Sequence, residues 1–234
     1  MLELNSIVAG YGEKQVLYGA SLKINTSEIV GLVGPNGSGK STVLKSIFGI
    51  VKVSSGEVKY KGEDIQNRKP SLNAAAGISY IPQGRMVFDR LTVQENLEMG
   101  GILIQKRSEL NDRVASMYDR FPKLKQYRNT PAGRLSGGER QMAGFCRGLI
   151  MHPDMILIDE PSIGLAPVLV QQTMEMIRTI REKFNTTVLI VEQNVPAMLK
   201  VADRVYLLST GKVIHEEKTV DNETEQRLRA LFLK

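Results

Sequence analysis

Cysteine is nearly missing from this sequence of 234 residues, and long apolar runs are absent. The one cysteine, Cys146, excludes an internal disulfide and a cysteine-rich metal cluster, as suits a reducing compartment. No stretch approaches the roughly 18 consecutive apolar residues of a membrane span, and the N-terminus lacks the features of a secretory signal. We therefore expect a cytoplasmic chain that does not cross a bilayer by itself. Cys146 shares a predicted helical stripe with Met142 and Leu149, which favours a core position.

The excess of positive charge is local. The net charge is +6, and residues 106–134 hold eight lysines or arginines against three acidic residues. A solvated helical surface is the favoured interpretation, and a surface that faces phosphates or anionic lipid headgroups is the alternative. No nucleic-acid partner is expected. With 42% apolar and 24% charged residues, the composition is that of a globular protein, and we expect one folding unit over residues 1–234.

Strand patterns alternate with helical ones along most of the chain. Short apolar segments predict strands at residues 2–8, 16–24, 28–33, 78–81, 155–158 and 187–191. This alternation favours a mostly parallel sheet that helices cover on both sides, with ligands at the carboxyl ends of the strands. Residues 92–134 are helical and polar in pattern until Pro131 and Gly133 interrupt it, so we interpret them as an inserted helical subdomain. A further helix is predicted from residue 135 to about 151.

A glycine-rich turn follows the strand 28–33 and precedes a helix. Its sequence, Gly34-Pro35-Asn36-Gly37-Ser38-Gly39-Lys40-Ser41, matches the pattern G-x-x-x-x-G-K-[ST] completely. The glycines allow successive backbone N–H groups to point at phosphate oxygens, and the start of the helix adds partial positive charge. Lys40 supplies a full positive charge, Ser41 a hydroxyl for Mg²⁺, and Thr42 a further hydroxyl for a phosphate oxygen.

Two acidic residues end the apolar strand 155–158. Asp159 is placed to hold Mg²⁺ through water, and Glu160 to polarise the water that attacks a γ-phosphate. By itself the pair has another interpretation, because acidic residues often cap the helix that follows a strand.

A second helix start lies about 20 residues earlier, in the segment Leu135-Ser136-Gly137-Gly138-Glu139-Arg140-Gln141. Ser136 and the two glycines form a second helix end suited to a phosphate. A capping box between Ser136 and Glu139 is the alternative, and the two interpretations are compatible.

The phosphate loop, LSGGERQ and ILIDEP, in this order and spacing, resemble the ABC ATPase family over essentially the whole chain. The resemblance implies a P-loop NTPase fold of the ABC ATPase type, with a mostly parallel core sheet, an N-terminal antiparallel β subdomain and an inserted helical subdomain. It implies ATP and Mg²⁺ as ligands, with Ser136, Gly137 and Gly138 closing over the nucleotide of a second subunit. It also implies that Tyr11 stacks on adenine and that Gln83 joins the metal to the helical subdomain.

The sequence departs from the family at one position. Most members place a histidine that contacts the γ-phosphate after the strand 187–191, whereas this chain has Gln193 there. His152 and His215 lie elsewhere, and we interpret both as structural. The amide of Gln193 can still donate a hydrogen bond, although it carries no charge. Glu160 and Gln193 are therefore the predicted catalytic residues.

The segments EPSIGLAP at residues 160–167 and VEQN at residues 191–194 resemble the shorter ATP-binding subunit of branched-chain amino-acid importers. Urea or amide importers share them, and a soluble ABC ATPase without a transport role is the remaining alternative. The resemblance implies a second ATPase subunit, in a homodimer or, as it favours, a heterodimer with a longer relative. It also implies permease subunits, indirectly a substrate-binding protein, and a peripheral position on the cytoplasmic face of the membrane.

The loop from Gln83 to Leu91 has an apolar character that suggests a contact. We predict that Met86, Phe88 and Leu91 meet a helix of the permease. Packing inside the helical subdomain is the alternative.

Overall fold

The N-terminal part of the chain forms an antiparallel sheet. The computed structural model describes residues 1–84, 86–218 and 223–232. In this sheet the strand order is β2-β1-β4-β5. Its strands are β1 (Leu2–Tyr11), β2 (Lys14–Ile24), β4 (Val53–Tyr60) and β5 (Glu63–Asp64). Alternating buried and exposed residues along β2 and β4 place one apolar face of the sheet against the core.

The core of the molecule is a second sheet, with the strand order β10-β9-β3-β8-β7-β6. Its strands are β3 (Ile29–Val33), β6 (Ile78–Ile81), β7 (Met155–Asp159), β8 (Thr187–Val191), β9 (Arg204–Ser209) and β10 (Lys212–Glu217). Neighbouring strands are parallel except for the pair β9 and β10. Every residue of β3, β7 and β8 is buried, because both faces of a parallel sheet are covered.

Helices pack on both faces of this sheet. They are α1 (Lys40–Phe48), α2 (Pro70–Ala75), α3 (Val93–Gly100), α4 (Arg107–Arg120), α5 (Pro122–Lys125), α6 (Gly137–Leu149), α7 (Pro167–Phe184), α8 (Val195–Leu199) and α9 (Thr224–Phe232). Alternate residues of β3 belong to different cores: Val30 and Leu32 pack with α1 and the antiparallel sheet, and Ile29 and Val33 with the core of α6 and α7. The predicted mostly parallel core sheet and N-terminal antiparallel sheet are both present.

Residues 92–134 are largely helical. They contain α3, α4, α5 and a 3₁₀ turn at Ala132–Arg134. Their apolar side chains, such as Leu97 and Val114, share one core with Ile156 and Ile158 of the sheet. A shared core is what one folding unit needs, and the division into a subdomain stays a prediction. Ion pairs within the basic stretch, such as Arg113 with Glu109, suit a solvated helical surface.

Several predicted boundaries differ from the structure by a few residues. Strand β1 extends to Tyr11, beyond the predicted end at Val8, and α1 ends at Phe48, because Gly49 takes a left-handed conformation (φ 86°) that stops it. The helix predicted to reach about residue 151 ends at Leu149. Cys146 is fully buried, as predicted, and burial raises the pKa of its thiol.

The predicted contact surface of the loop 83–91 needs a correction at Met86. This side chain is buried in the core of α6 and α7, where Gly144 leaves it room. A Cβ atom at Gly144 would lie 2.4 Å from the Cβ of Met86. Met86 therefore packs inside the molecule, which was the alternative, whereas Phe88 is 48% exposed. Within the described part of the chain, no helix is long and apolar enough to cross a membrane.

Candidate active site

The sheet topology brings the predicted site residues to one edge. The phosphate loop follows β3, Gln83 follows β6, the acidic pair lies at the end of β7, and Gln193 follows β8. These strands are parallel neighbours in the order β3-β8-β7-β6, so their carboxyl ends meet. Since β8 lies between β3 and β7, Gln193 lies between the phosphate loop and the acidic pair.

The phosphate loop wraps the start of α1. Gly39 precedes the helix in a left-handed conformation (φ 103°), which a residue with a side chain adopts only with strain. The ammonium group of Lys40 is buried and donates to the carbonyl oxygens of Gly34 (2.9 Å) and Pro35 (3.1 Å). The hydroxyl of Ser38 is buried without a hydrogen-bond partner in the described part of the chain. An unpaired hydroxyl, free helix N–H groups and an ammonium group together fit a phosphate ligand.

Burial lowers the pKa of Lys40, and the carboxylates of Glu160, Asp159 and Glu192 partly offset this effect. Lys40 Nζ lies 3.9 Å from Glu160 Oε1, so the ammonium group of the phosphate loop faces the carboxylate that follows β7. A phosphate that entered between them would take over the hydrogen bonds of Lys40.

Asp159 is held by two hydroxyl groups. Ser41 Oγ donates to Asp159 Oδ1 (2.8 Å), and the phenol of Tyr80 donates to Asp159 Oδ2 (3.1 Å). Burial raises the pKa of Asp159. Within the described residues, no three His, Cys, Asp or Glu side chains are clustered to hold a metal. The Ser41 and Asp159 oxygens nevertheless suit Mg²⁺, because this ion usually takes one or two protein oxygens and completes its shell with phosphate oxygens and water.

Glu160 lies between two glutamine amides. Gln83 Nε2 donates to Glu160 Oε2, and Gln193 Nε2 donates to Glu160 Oε1, each at 2.7 Å. The backbone of Glu160 has a positive φ of 45°, and its N–H donates to the Val191 oxygen at 3.0 Å. The side chain is buried, and neither acid caps the helix that follows, because Ala166 is the N-cap residue of α7. The arrangement suits a base that is aimed at one position.

Gln193 does not cap α8. The cap is Asn194, whose side-chain oxygen accepts the Ala197 N–H at 3.1 Å. The amide of Gln193 is free to contact Glu160, as a catalytic role requires. The amide of Gln83 also contacts Glu160, and its role as a metal ligand stays a prediction.

Ser136 begins α6 and forms a capping box. Its hydroxyl accepts the Glu139 N–H, and the Glu139 carboxylate accepts the Ser136 N–H. Gly137 lines a cavity of about 200 Å³ together with Asp159 and Glu160. The capping interpretation is confirmed, and the phosphate-binding roles of Ser136, Gly137 and Gly138 stay predictions.

Tyr11 is the last residue of β1 and is 48% exposed. It pairs with Lys14 at the turn into β2, and β2 reaches the phosphate loop where Val16 and Leu17 flank Gly39. An exposed aromatic ring at this end of the sheet suits adenine stacking, which also stays a prediction.

Sequence reasoning missed two residues of the site, Tyr80 and Glu192. Tyr80 contacts Asp159 from the neighbouring strand, and no local sequence signal marks it. Glu192 is 2% exposed and accepts backbone N–H groups from two loops. The signal that could have found Glu192 is an acidic residue directly after a strand of apolar residues, here residues 188–191, as in the acidic pair.

A family model described as "ABC transporter" matches residues 17–163 of the chain. The chain belongs to the ABC transporter family, as an ATP-binding subunit. It is 38% identical to the high-affinity branched-chain amino acid transport ATP-binding protein BraG of Pseudomonas aeruginosa, over 100% of this chain and 99% of BraG. It is 40% identical to the probable branched-chain amino acid transport ATP-binding protein LivF of Archaeoglobus fulgidus, over 91% and 90%. The lipopolysaccharide export system ATP-binding protein LptB of Haemophilus influenzae is 33% identical, over 100% and 97%.

Solved structures of the family share the fold of this ABC protein. A nucleotide-free ATP-binding cassette from an ABC transporter superposes with a TM-score of 0.87 at 28% identity, over 98% of this chain and 95% of the other. A dimeric ATP-binding cassette in a post-hydrolysis state, bound to ADP and phosphate, has a TM-score of 0.78 at 25% identity, over 95% and 100%. The similarity extends over the whole cassette, and the predicted fold class, a P-loop NTPase of the ABC ATPase type, is confirmed.

Proposed function

We propose that this ABC subunit hydrolyses ATP to drive the import of branched-chain amino acids. The observation that carries the catalytic part is Glu160, held between Gln83 and Gln193 at 2.7 Å from each. The cargo is proposed from the names of BraG and LivF, which both refer to branched-chain amino acid transport. Their similarity spans nearly the whole chain and exceeds that of LptB.

Each site residue has a distinct part in the proposed reaction. The phosphate loop and Lys40 bind the phosphates of ATP, and Glu160 accepts a proton from the attacking water. Gln83 and Gln193 keep the Glu160 carboxylate in place by donating to its two oxygens. Ser41 and Asp159 would hold Mg²⁺, which supplies charge neutralisation on the phosphates.

We further propose that the working form is a dimer, in which Ser136, Gly137 and Gly138 reach the nucleotide of the other subunit. Support comes from the exposed start of α6 and from the dimeric cassette bound to ADP and phosphate. A heterodimer with a longer relative is the favoured pairing. The subunits would sit on the cytoplasmic face of the membrane.

The permease contact is proposed at a patch formed by Phe88, Ile102, Leu103 and Arg147, called the apolar patch below. Ile102 is 71% exposed, and with Leu103 and Arg147 it lines one cavity. The Arg147 guanidinium lies 4.9 Å from the centre of the Phe88 ring. Burial lowers the pKa of Arg147, and no carboxylate in the described part of the chain offsets this burial. A permease helix that carries an acidic residue would fit both features.

The proposed function can be tested by reconstitution. The chain, its partner subunit and candidate permease subunits from the same organism would be placed in liposomes with a binding protein. ATP-dependent uptake of labelled leucine, isoleucine and valine is expected, with no uptake of urea. Glu160→Gln should abolish uptake and hydrolysis, while Glu182→Gln, at an exposed position of α7, should leave both unchanged. Uptake of another solute alone would refute the cargo, and hydrolysis by Glu160→Gln would refute the catalytic role.

A further inference from the structure

Glu192 is a buried acid that the proposed reaction does not use. Its side chain follows β8, and only 2% of the residue is exposed. One carboxylate oxygen accepts the N–H groups of Gln193 (2.9 Å) and Asn194 (3.2 Å), and the other accepts the N–H of Ser162 (3.3 Å). A buried carboxylate is costly unless such donors satisfy it, so its presence calls for an explanation.

The three donors come from two different loops. Ser162 lies in the loop after β7, two residues beyond Glu160, whereas Gln193 and Asn194 lie in the loop after β8. The side chains of Glu160 and Gln193, one from each loop, meet at 2.7 Å. A carboxylate accepts at both of its oxygens, which suits it to join donors from two separate loops.

We infer that Glu192 is a positioning residue, whose carboxylate joins the loops of Glu160 and Gln193 and so maintains the contact between these two side chains. The inference rests on the proposed function of Glu160 and Gln193. The hydrogen bonds of the Glu192 carboxylate go to backbone N–H groups, so beside its electrostatic effect on Lys40 it acts on Glu160 and Gln193 through the backbone of the loops.

A second set of contacts holds the loop after β7, so the effect of Glu192 can be distinguished from a general loosening of this loop. Gln141 Nε2 of α6 donates to the Pro161 oxygen at 2.6 Å, and Gln141 Oε1 accepts the Thr173 hydroxyl at 2.5 Å. These contacts tie the loop to α6 and α7 but not to Gln193. Loss of Glu192 should therefore leave the Glu160 loop attached to the helices and, through the Glu160 N–H, to the Val191 oxygen, while it removes the link from Ser162 to Gln193 and Asn194.

Glu192→Gln is the sharpest substitution, because it keeps the shape of the side chain. The amide has one accepting oxygen and one NH₂ group, so in either orientation a donor faces at least one of the three N–H groups. If the oxygen keeps the bonds to Gln193 and Asn194, the NH₂ group faces the Ser162 N–H. The link between the loops then breaks without a cavity in the core.

The first experiment measures single-turnover ATP hydrolysis and ATP affinity of the full chain. We expect Glu192→Gln to slow hydrolysis by about tenfold with a Kd for ATP close to that of the wild type, because the phosphate loop keeps all of its groups. Glu192→Asp, which retains both oxygens, should recover part of the rate. The matched control is Asp203→Asn, whose carboxylate accepts the Ile29 N–H (2.8 Å) at the opposite end of β3. An unchanged rate in Glu192→Gln, or an equal loss in Asp203→Asn, would overturn the inference.

A double-mutant comparison tests whether Glu192 acts through Gln193. In a Gln193→Ala background, Glu192→Gln should cause little further loss of rate, because the contact it maintains is already gone. If the loss of rate in the double variant equalled the product of the losses in the two single variants, the two residues would act independently and the inference would be overturned.

Amide hydrogen exchange tests the inference independently of ATP turnover. In Glu192→Gln, faster exchange is expected at the amide of Ser162 or, in the other orientation of the side chain, at the amides of Gln193 and Asn194, and unchanged exchange at all three would overturn the link. A wild-type chain that bound ATP without hydrolysing it would reject the proposed function, and this exchange measurement would still decide whether Glu192 joins the two loops.

Discussion

The ammonium group of Lys40 is buried and held by two carbonyl oxygens of its own loop. We predict that Lys40→Ala weakens ATP binding by about 2 to 3 kcal/mol, which is the size of a charge-assisted hydrogen bond. Titration calorimetry with ATP and Mg²⁺ would measure the loss. Lys52→Ala, at an exposed position just beyond α1, serves as the control and should bind ATP as the wild type does. Equal affinities for the Lys40 variant and the wild type would contradict the assignment of the phosphate loop.

Gln193 occupies the position of the family's histidine and donates to Glu160 at 2.7 Å. We predict that Gln193→Ala lowers single-turnover hydrolysis by about 10- to 100-fold, while ATP affinity is spared because the phosphate loop dominates ground-state binding. Thermal stability, measured alongside, should change little, since Asn194 and not Gln193 caps α8. A normal rate per folded molecule would reject the catalytic role.

Gln193→His should stay active with a new dependence on pH. A neutral imidazole can donate an N–H to Glu160, as the amide does, so the rate at alkaline pH should be near that of the wild type. The Glu160 carboxylate should raise the pKa of this imidazole above its ordinary value of about 6.5, and below the raised pKa the charged imidazole would hold Glu160 in an ion pair, which disfavours proton transfer to the carboxylate. The rate should therefore fall as the pH is lowered through this raised pKa. A pH profile identical to that of the wild type would contradict the contact.

Helix ends position the loops around the site, and α3 begins with a capping box. The hydroxyl of Thr92 accepts the Glu95 N–H at 3.2 Å. We predict that Thr92→Ala lowers the free energy of unfolding by about 1 kcal/mol, because a helix N–H loses its partner. Denaturant titration would measure the change, and ATP affinity should stay the same. Ser108→Ala, in the exposed first turn of α4, is the control and should not destabilise the chain.

In the proposed dimer, the helix start at Lys40 of one subunit and the helix start at Ser136 of the other would bind the same nucleotide, so ATP should join two copies or two related chains. We predict that Glu160→Gln with ATP and Mg²⁺ elutes as a dimer in gel filtration, because the nucleotide is bound and not consumed. The double variant Lys40→Ala, Glu160→Gln should remain monomeric, since it lacks tight nucleotide binding. A monomeric Glu160→Gln variant saturated with ATP would contradict a homodimer and leave the pairing with a longer relative to be tested by mixing the two chains.

A charged substitution in the apolar patch should prevent assembly with the permease without affecting the ATP site. We predict that Phe88→Asp and Ile102→Asp prevent co-purification with permease subunits, while the isolated chain folds and binds ATP normally. Met86 is unsuited to this test because it is buried in the core. Thr179→Asp, on α7 away from this patch, provides a comparison, and normal assembly of the Phe88 and Ile102 variants would reject the contact.

Much of the fold and of the candidate site could be predicted from local sequence patterns. The phosphate loop, the acidic pair and the start of α6 were predictable because each depends on neighbouring residues: a strand, then glycines or acids, then a helix start. The strands at residues 78–81 and 187–191 were predicted with their exact limits, since each is a short apolar run between breaks. Family, fold class and the identity of most candidate site residues therefore follow from the chain alone.

Contacts between distant segments were decided only by the tertiary structure. Tyr80 meets Asp159 across 79 residues, and Gln193 meets Glu160 across 33, because the strand order places their strands side by side. Burial of Met86 depends on the space at Gly144 of α6, which its own loop sequence does not reveal. Glu192 needs both loops in place before its carboxylate has donors. Sequence patterns report which groups a chain carries, whereas pairing and burial depend on the packing of segments that are far apart in the chain.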